Sequence, residues 1–170
     1  MSGIDDLSRE ELLALVRNFA KNWLAHDGLW FQAVERSHGL EHAVELDVES
    51  WRRFSPIEAR RIKEFLGLSE QPGLEGLRTA LEYRFYAVLN RQSSQVEDGV
   101  LRFTMNDCRV QNARKRRGLP DFPCKPVGLV EYGEFATAID ERIRTRCITC
   151  PPEDHPDEYY CGWEFRIEED

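Results

Sequence analysis

The chain has 170 residues, 41% of them hydrophobic and 32% charged, a composition that suits a globular protein with one hydrophobic core. Its net charge of −8 disfavours nucleic acid and anionic membrane as main partners, because both attract basic surfaces. No apolar run approaches the roughly 18 residues that cross a bilayer, and the acidic start MSGIDDLSREE does not resemble a secretory signal. The sequence therefore predicts a cytoplasmic protein that binds neither nucleic acid nor membrane.

The first 80 residues are predicted to be helical. A capping box at Ser8–Glu11 begins a helix whose apolar residues recur at helical spacing. The sequence His26–Gly28 predicts a break, with its aspartate capping a short aromatic helix that Gly39 ends. A third helix follows, and Ser55–Glu58 predicts the start of another, with proline at its first position and its end near Gly67. After the EQPG break, one more helix carries Leu74, Leu77 and Leu81.

The pattern changes to strands near Tyr83. Two strands are predicted on either side of Asp98-Gly99, a dipeptide typical of tight hairpins. A basic helix follows, and then a helix over 126–139 and strands over 142–149 and 159–167. This order predicts an α+β fold in which N-terminal helices pack on an antiparallel sheet with interspersed helices.

The predicted division is an N-terminal helical region, 1–80, and a cysteine-rich α+β region, 81–170. No Gly- or Pro-rich linker separates the two regions, so we expect them to form one compact unit. The sequence has no Gly-rich phosphate loop, no Gly-x-Ser-x-Gly elbow and no His-Glu-x-x-His, which disfavours nucleotide hydrolases, serine esterases and zinc proteases.

Five cysteines lie at positions 108, 124, 147, 150 and 161. Cys147 and Cys150 form a Cys-x-x-Cys pair, in which two thiolates on one turn can reach the same metal ion. Pro151-Pro152 follows the pair directly and disfavours the helix that a thioredoxin-like redox site needs. Cys124 and Cys161 would complete a Cys₄ set for zinc, with an iron–sulfur cluster, unliganded buried thiols or a disulfide as alternatives.

The stretches from Cys124 to Glu131, from Cys147 to Cys150 and from Cys161 to Phe165 resemble the small-molecule-binding domain named after vinyl-4-reductase. This resemblance implies a vinyl-4-reductase-like C-terminal domain that binds a small molecule. In sensors of that group the four matching positions bind zinc, and Cys147 stands where the sensors commonly have glutamate. The resemblance thus favours a structural zinc ion at Cys124, Cys147, Cys150 and Cys161.

The stretch from Asn106 to Cys161 also resembles L-2-amino-thiazoline-4-carboxylic acid hydrolase-like proteins, in which a cysteine opens the helix after the hairpin. Taken whole, the chain resembles an uncharacterised prokaryotic family related to both groups. Cys108 occupies that helix start, where the helix dipole would lower the pKa of its thiol. A hydrolase of small cyclic amide- or thiazoline-like substrates would use Cys108 as nucleophile and His26 as base.

Two further residues are candidate ligand contacts: Trp30, beside the predicted break, and Asn106, beside Cys108. The leading hypothesis is a small-molecule-binding protein with a pocket between helices and sheet and a structural Cys₄ zinc site. The alternatives are the hydrolase and a purely interacting domain. A homodimer would suit this last alternative.

Overall fold

The computed structural model describes residues 3–168, which form five α-helices and one four-stranded antiparallel sheet. The α+β class predicted from the sequence is thereby confirmed. The helices are α1 (Arg9–His38), α2 (Leu40–Leu66), α3 (Gly73–Leu81), α4 (Arg109–Lys115) and α5 (Lys125–Ile139). The strands are β1 (Arg91–Glu97), β2 (Val100–Asp107), β3 (Ile143–Thr149) and β4 (Cys161–Ile167).

Helix α1 is longer than the sequence predicts. It begins at the expected capping box, in which the Glu11 backbone N–H donates to Ser8 Oγ, and it ends at Gly39, where φ is +87°. The break predicted at His26–Gly28 is wrong, because the helix runs through it without interruption. A glycine inside a helix costs only about 1 kcal/mol. Packing of Trp23 and Phe31, on either side of the glycine, against the core outweighs this cost.

Helix α2 also continues through a predicted boundary. Pro56 lies inside it, so the helix start predicted at Ser55–Glu58 is wrong. The Ser55 hydroxyl is buried and caps no backbone group. Trp51, Ala59 and Ile62 lie on the buried side of α2 before and after the proline, and their burial favours one continuous helix. The left-handed Gly67, with φ of +62°, ends α2 as predicted.

The first strand of the hairpin is shorter than the sequence predicts. Residues 82–90 form turns rather than a strand, and β1 begins at Arg91. The hairpin itself is confirmed, with Asp98 and Gly99 both at positive φ, the conformation of a type I′ turn.

The sheet has the strand order β1-β2-β4-β3 and buries one face. Alternate residues of β2 and β4 face the core, with Leu101 opposite Phe165, Phe103 opposite Trp163, and Met105 opposite Cys161. Helix α5 packs between this face and α2, while α1 packs mainly on α2. Within residues 3–168, none of the helices combines the length and apolar character that a membrane span requires.

Candidate functional site

A cleft of about 250 Å³ opens between α1 and α2. The α1 residues that line it follow helical spacing, so their side chains share one face of the helix. Because α1 is continuous through Gly28, residues on both sides of the predicted break reach the same cleft. The lining residues are Trp23, His26, Asp27 and Trp30 from α1, and Ser50, Trp51 and Phe54 from α2.

Three aromatic rings form the inner wall of the cleft. Trp51 lies edge-on to both Trp23 and Phe54, with ring centroids 6.2 Å and 5.6 Å away. Trp23 and Phe54 are nearly parallel, at an interplanar angle of 19° and 6.2 Å apart. Trp30 stands at the rim with 67% of its surface exposed. The cleft therefore has a packed aromatic wall and one exposed indole at its mouth.

Carboxylates lie beside this aromatic wall. Burial raises the pKa of Asp27, which lines the cleft; the charge of His26 opposes this increase, and the charge of Glu131 adds to it. Burial also raises the pKa of Asp47, on α2, to about 7, with contributions from the charges of Asp27 and Glu131. Asp47 interacts in addition with the side chain of Trp51. The local charge at the cleft is therefore negative when these groups ionise.

A buried arginine lies behind the aromatic wall. Arg84 is 1% exposed; its guanidinium contacts the Glu58 carboxylate at 2.9 Å and donates to Glu131 Oε1 at 2.7 Å. The Tyr86 hydroxyl donates to the same Glu131 oxygen. Burial raises the pKa of Glu131, and the Arg84 charge opposes this. The sequence did not predict this cluster, although an arginine between aromatic residues at positions 83–86 is a signal for it.

A second cavity, of about 300 Å³, lies at the end of the β1–β2 hairpin and contains Asn106. The Asn106 amide donates to the Glu158 carbonyl at 3.3 Å and accepts from Ser93 Oγ at 2.8 Å. Its hydrogen bonds therefore hold the local structure together. Trp30, the other predicted ligand contact, lies in the α1–α2 cleft. The structure thus places the two predicted ligand contacts in separate cavities.

The cysteines converge where α5 begins and β3 and β4 face the core. Cys124 Sγ lies 3.5 Å from Cys150 Sγ. Hydrogen bonds with Cys124 and Cys161 raise the pKa of the Cys150 thiol, and burial raises it further by a smaller amount. Cys147 pairs with Trp163 across the strands, on the same face as Cys161, and burial raises its pKa to about 11. Buried Gln111 donates to Cys124 Sγ at 3.4 Å.

These thiols form a close cluster, but their donor atoms do not already surround a metal site. Within residues 3–168 no group of three or more His, Cys, Asp or Glu side chains has the arrangement that holds a metal ion. The donor chemistry fits zinc, since sulfurs bound to one tetrahedral zinc lie about 3.8 Å apart, close to the observed Cys124–Cys150 separation. Zinc at the four predicted cysteines therefore stays a prediction.

The structure places the two predicted catalytic residues in different surroundings. Cys108 precedes α4 as predicted, but burial raises the pKa of its thiol to about 12. The backbone N–H groups of Gln111 and Val110, at the start of α4, lower this pKa as expected, but burial outweighs them. The groups whose charges influence the pKa of Cys108 include Cys161 and Cys124 of the cysteine cluster. His26 instead lines the α1–α2 cleft.

The fold is similar to a solved ligand-binding structure. The phenol-responsive sensory domain of the transcription activator PoxR, with phenol, matches 84% of this chain and 73% of its own length. The TM-score is 0.54 and the sequence identity is 18%, so the likeness concerns the fold. A search of curated proteins found no significant match. The model of a family of unknown function, DUF6125, matches residues 5–167, and the chain therefore belongs to the DUF6125 family.

Proposed function

We propose that this protein binds a small organic molecule in the cleft between α1 and α2. The observation that carries the proposal is the aromatic wall of Trp23, Trp51 and Phe54 beside a half-buried carboxylate. Small-molecule sites combine apolar and aromatic walls with a few polar groups that orient the ligand. The fold shared with a phenol-responsive sensory domain supports the same function. The proposed site lies between two helices, whereas the sequence predicts a pocket between helices and sheet.

The cleft restricts the size of the ligand. Its volume of about 250 Å³ is below the roughly 300–1,000 Å³ of sites for drug-sized molecules. The ligand should therefore be a compact molecule that leaves part of its surface at the rim beside Trp30.

Fragment screening by tryptophan fluorescence and thermal shift tests the proposal. We expect fragments that bind in the cleft to quench fluorescence and raise the melting temperature. Trp30→Ala should weaken the binding of these fragments, because it removes the indole at the rim of the cleft. Phe65→Ala is the matched control, since Phe65 is another exposed aromatic side chain, on α2, outside the cleft lining. If no fragment binds, or if both variants behave like the wild type, the cleft is not the binding site.

We further propose that Cys124, Cys147, Cys150 and Cys161 hold a structural zinc ion. The close thiols support this proposal, as does Gln111, whose amide N–H can stabilise the negative charge of a bound thiolate. Zinc at these positions would tie the start of α5 to β3 and β4. A closed Cys₄ site leaves no coordination position open, so the metal would stabilise the fold.

Elemental analysis of the purified protein tests the zinc proposal. We expect about one equivalent of zinc in the wild type and its loss in Cys150→Ser. Cys108→Ser is the matched control, because it removes a neighbouring thiol outside the proposed set. Zinc absent from the wild type, or equally retained in Cys150→Ser, would contradict the proposal. Iron with visible absorption would indicate the iron–sulfur alternative instead.

Two other sequence predictions stay predictions. A hydrolase that uses Cys108 as nucleophile requires a thiol that ionises readily, and the burial of Cys108 works against that. A homodimer would cover some exposed apolar residues of α1, which include Val16 and Phe19.

A further inference from the structure

The α1–α2 cleft contains a carboxylate, Asp27, without a lysine or arginine partner in its lining. Within residues 3–168, Asp27 forms no hydrogen bond or ion pair with another side chain, and the charge of the neighbouring His26, which also lines the cleft, lowers the pKa of Asp27. Asp47 on α2 and Glu131 on α5 add negative charge nearby. The Arg84 cation is already engaged by the carboxylates of Glu58 and Glu131. The described lining of the cleft therefore holds no lysine or arginine to balance Asp27.

The aromatic wall supplies the second half of a cation site. Cations are attracted to the faces of tryptophan and phenylalanine rings within about 6 Å, and aromatic cages recognise alkylated ammonium groups in this way. Trp23, Trp51 and Phe54 lie 5.6–6.2 Å from one another at the wall of the cleft. Trp30 adds a fourth ring at the rim.

The same chain already holds one cation with this combination of groups. The Arg84 guanidinium lies 4.5 Å from the centroid of the Tyr86 ring, 4.6 Å from that of Phe135 and 5.6 Å from that of Trp51. The carboxylates of Glu58 and Glu131 neutralise its charge. Trp51 thus belongs both to this internal cation site and to the wall of the cleft.

We propose that the cleft binds an alkylated ammonium ion, with Asp27 as counter-ion, the wall of Trp23, Trp51 and Phe54 against one side of the alkyl groups, and the Trp30 indole at the rim. An anionic ligand would meet the charge of Asp27 in the cleft lining, whereas the charge of Glu131 is already paired with Arg84. A neutral aromatic ligand would remove water from Asp27 without replacing its hydrogen bonds. This inference rests on the proposed function, since it names the chemical class of the ligand for the same cleft.

Three probes separate the charge of the ligand from its shape. Choline carries a quaternary ammonium group, 3,3-dimethylbutan-1-ol is its uncharged isostere, and phenol is a neutral aromatic molecule. Each is titrated into the full chain by calorimetry and tryptophan fluorescence. We expect choline to bind at least about tenfold more tightly than the isostere, because only the cation gains from the rings and the carboxylate.

Variants locate the selectivity in the cleft. Asp27→Asn keeps the shape of the side chain but removes its charge, so choline and its isostere should bind with similar affinity. Asp98→Asn, in the hairpin turn, is the matched control and should keep the wild-type selectivity. Should Asp27→Asn fail to fold, Trp30→Leu is the second variant. The indole of Trp30 is exposed and adds little to the core. Removing it should lower the affinity for choline more than the affinity for the isostere.

The outcomes distinguish the ammonium inference from the proposed function. If the isostere or phenol binds as tightly as choline, the ligand is not a cation, although the cleft still binds small molecules. Unchanged selectivity in Asp27→Asn, or in Trp30→Leu where the first variant cannot be used, also overturns the inference. If none of the three probes binds, the inference is overturned, and the fragment screen alone then decides whether the cleft binds anything.

Discussion

Replacing Asp47 by asparagine is expected to stabilise the protein at neutral and alkaline pH. Burial and two neighbouring carboxylates raise the pKa of Asp47 to about 7 in the folded protein, from a usual value of 3.8. Because this pKa is raised, the folded state keeps its proton where the unfolded chain has lost it. The contribution of Asp47 to stability therefore falls as the pH rises from about 4 to about 7, and the loss is complete above that range.

The size of the effect follows from the difference between the two pKa values. A difference of roughly three pH units, at 1.36 kcal/mol each, sets an upper limit of about 4 kcal/mol. Part of this loss is already present at pH 5, and Asp47 is only half-buried, so solvent screens its charge. We therefore expect the advantage of Asp47→Asn over the wild type to grow by about 1–2 kcal/mol between pH 5 and pH 8.

Urea unfolding of both proteins at pH 5, 6, 7 and 8 measures this growth. The slope of the unfolding free energy against urea concentration should be the same for both proteins. Differences between their urea midpoints then report differences in stability. Asp98→Asn is the control, because its carboxylate lies in an exposed turn, and its effect should not change with pH. A constant difference between Asp47→Asn and the wild type at all four pH values would refute the reasoning.

Two further substitutions test the packing behind the cleft and at the sheet. Arg84→Met should lower the unfolding free energy by about 3–5 kcal/mol, because it leaves the buried carboxylates of Glu58 and Glu131 unpaired. Adding Glu131→Gln should restore part of this loss, as measured by urea unfolding. Gly128→Ala should cost about 1–3 kcal/mol, since its Cβ would lie 2.7 Å from the Trp163 ring. Gly133→Ala, on the same helix with open space around it, should be neutral or stabilising by thermal melts. Equal effects of the two alanines would contradict the packing argument, and a mild effect of Arg84→Met would contradict the buried-charge argument.

The features that the sequence predicted correctly depend on neighbouring residues. The capping box at Ser8 and Glu11 forms within one turn of helix. The hairpin at Asp98 and Gly99 and the helix end at Gly67 require only local positive φ values. Each of these contacts or conformations involves residues a few positions apart, so residue type and spacing are enough to predict it.

The wrong predictions arose where distant contacts outweigh local preferences. Gly28 and Pro56 are poor helix residues, yet α1 and α2 pass through them because both helices bury apolar residues before and after these positions. The candidate site depends on this continuity. With a break at Gly28, the side chains of Trp23 and Trp30 would not share one face of α1.

Residue type and spacing are enough to predict the α+β class, the Asp98-Gly99 turn and the helix end at Gly67, and they show which residues carry useful chemistry, among them Trp30, Asp27 and the cysteines. The packing of the folded chain determines which of these residues meet. It pairs Glu58 with Arg84, 26 residues away, and brings Cys124 to Cys150 through the approach of α5 to β3. Charge and thiol chemistry are properties of single residues, whereas burial and proximity depend on how helices and strands from distant parts of the chain pack together.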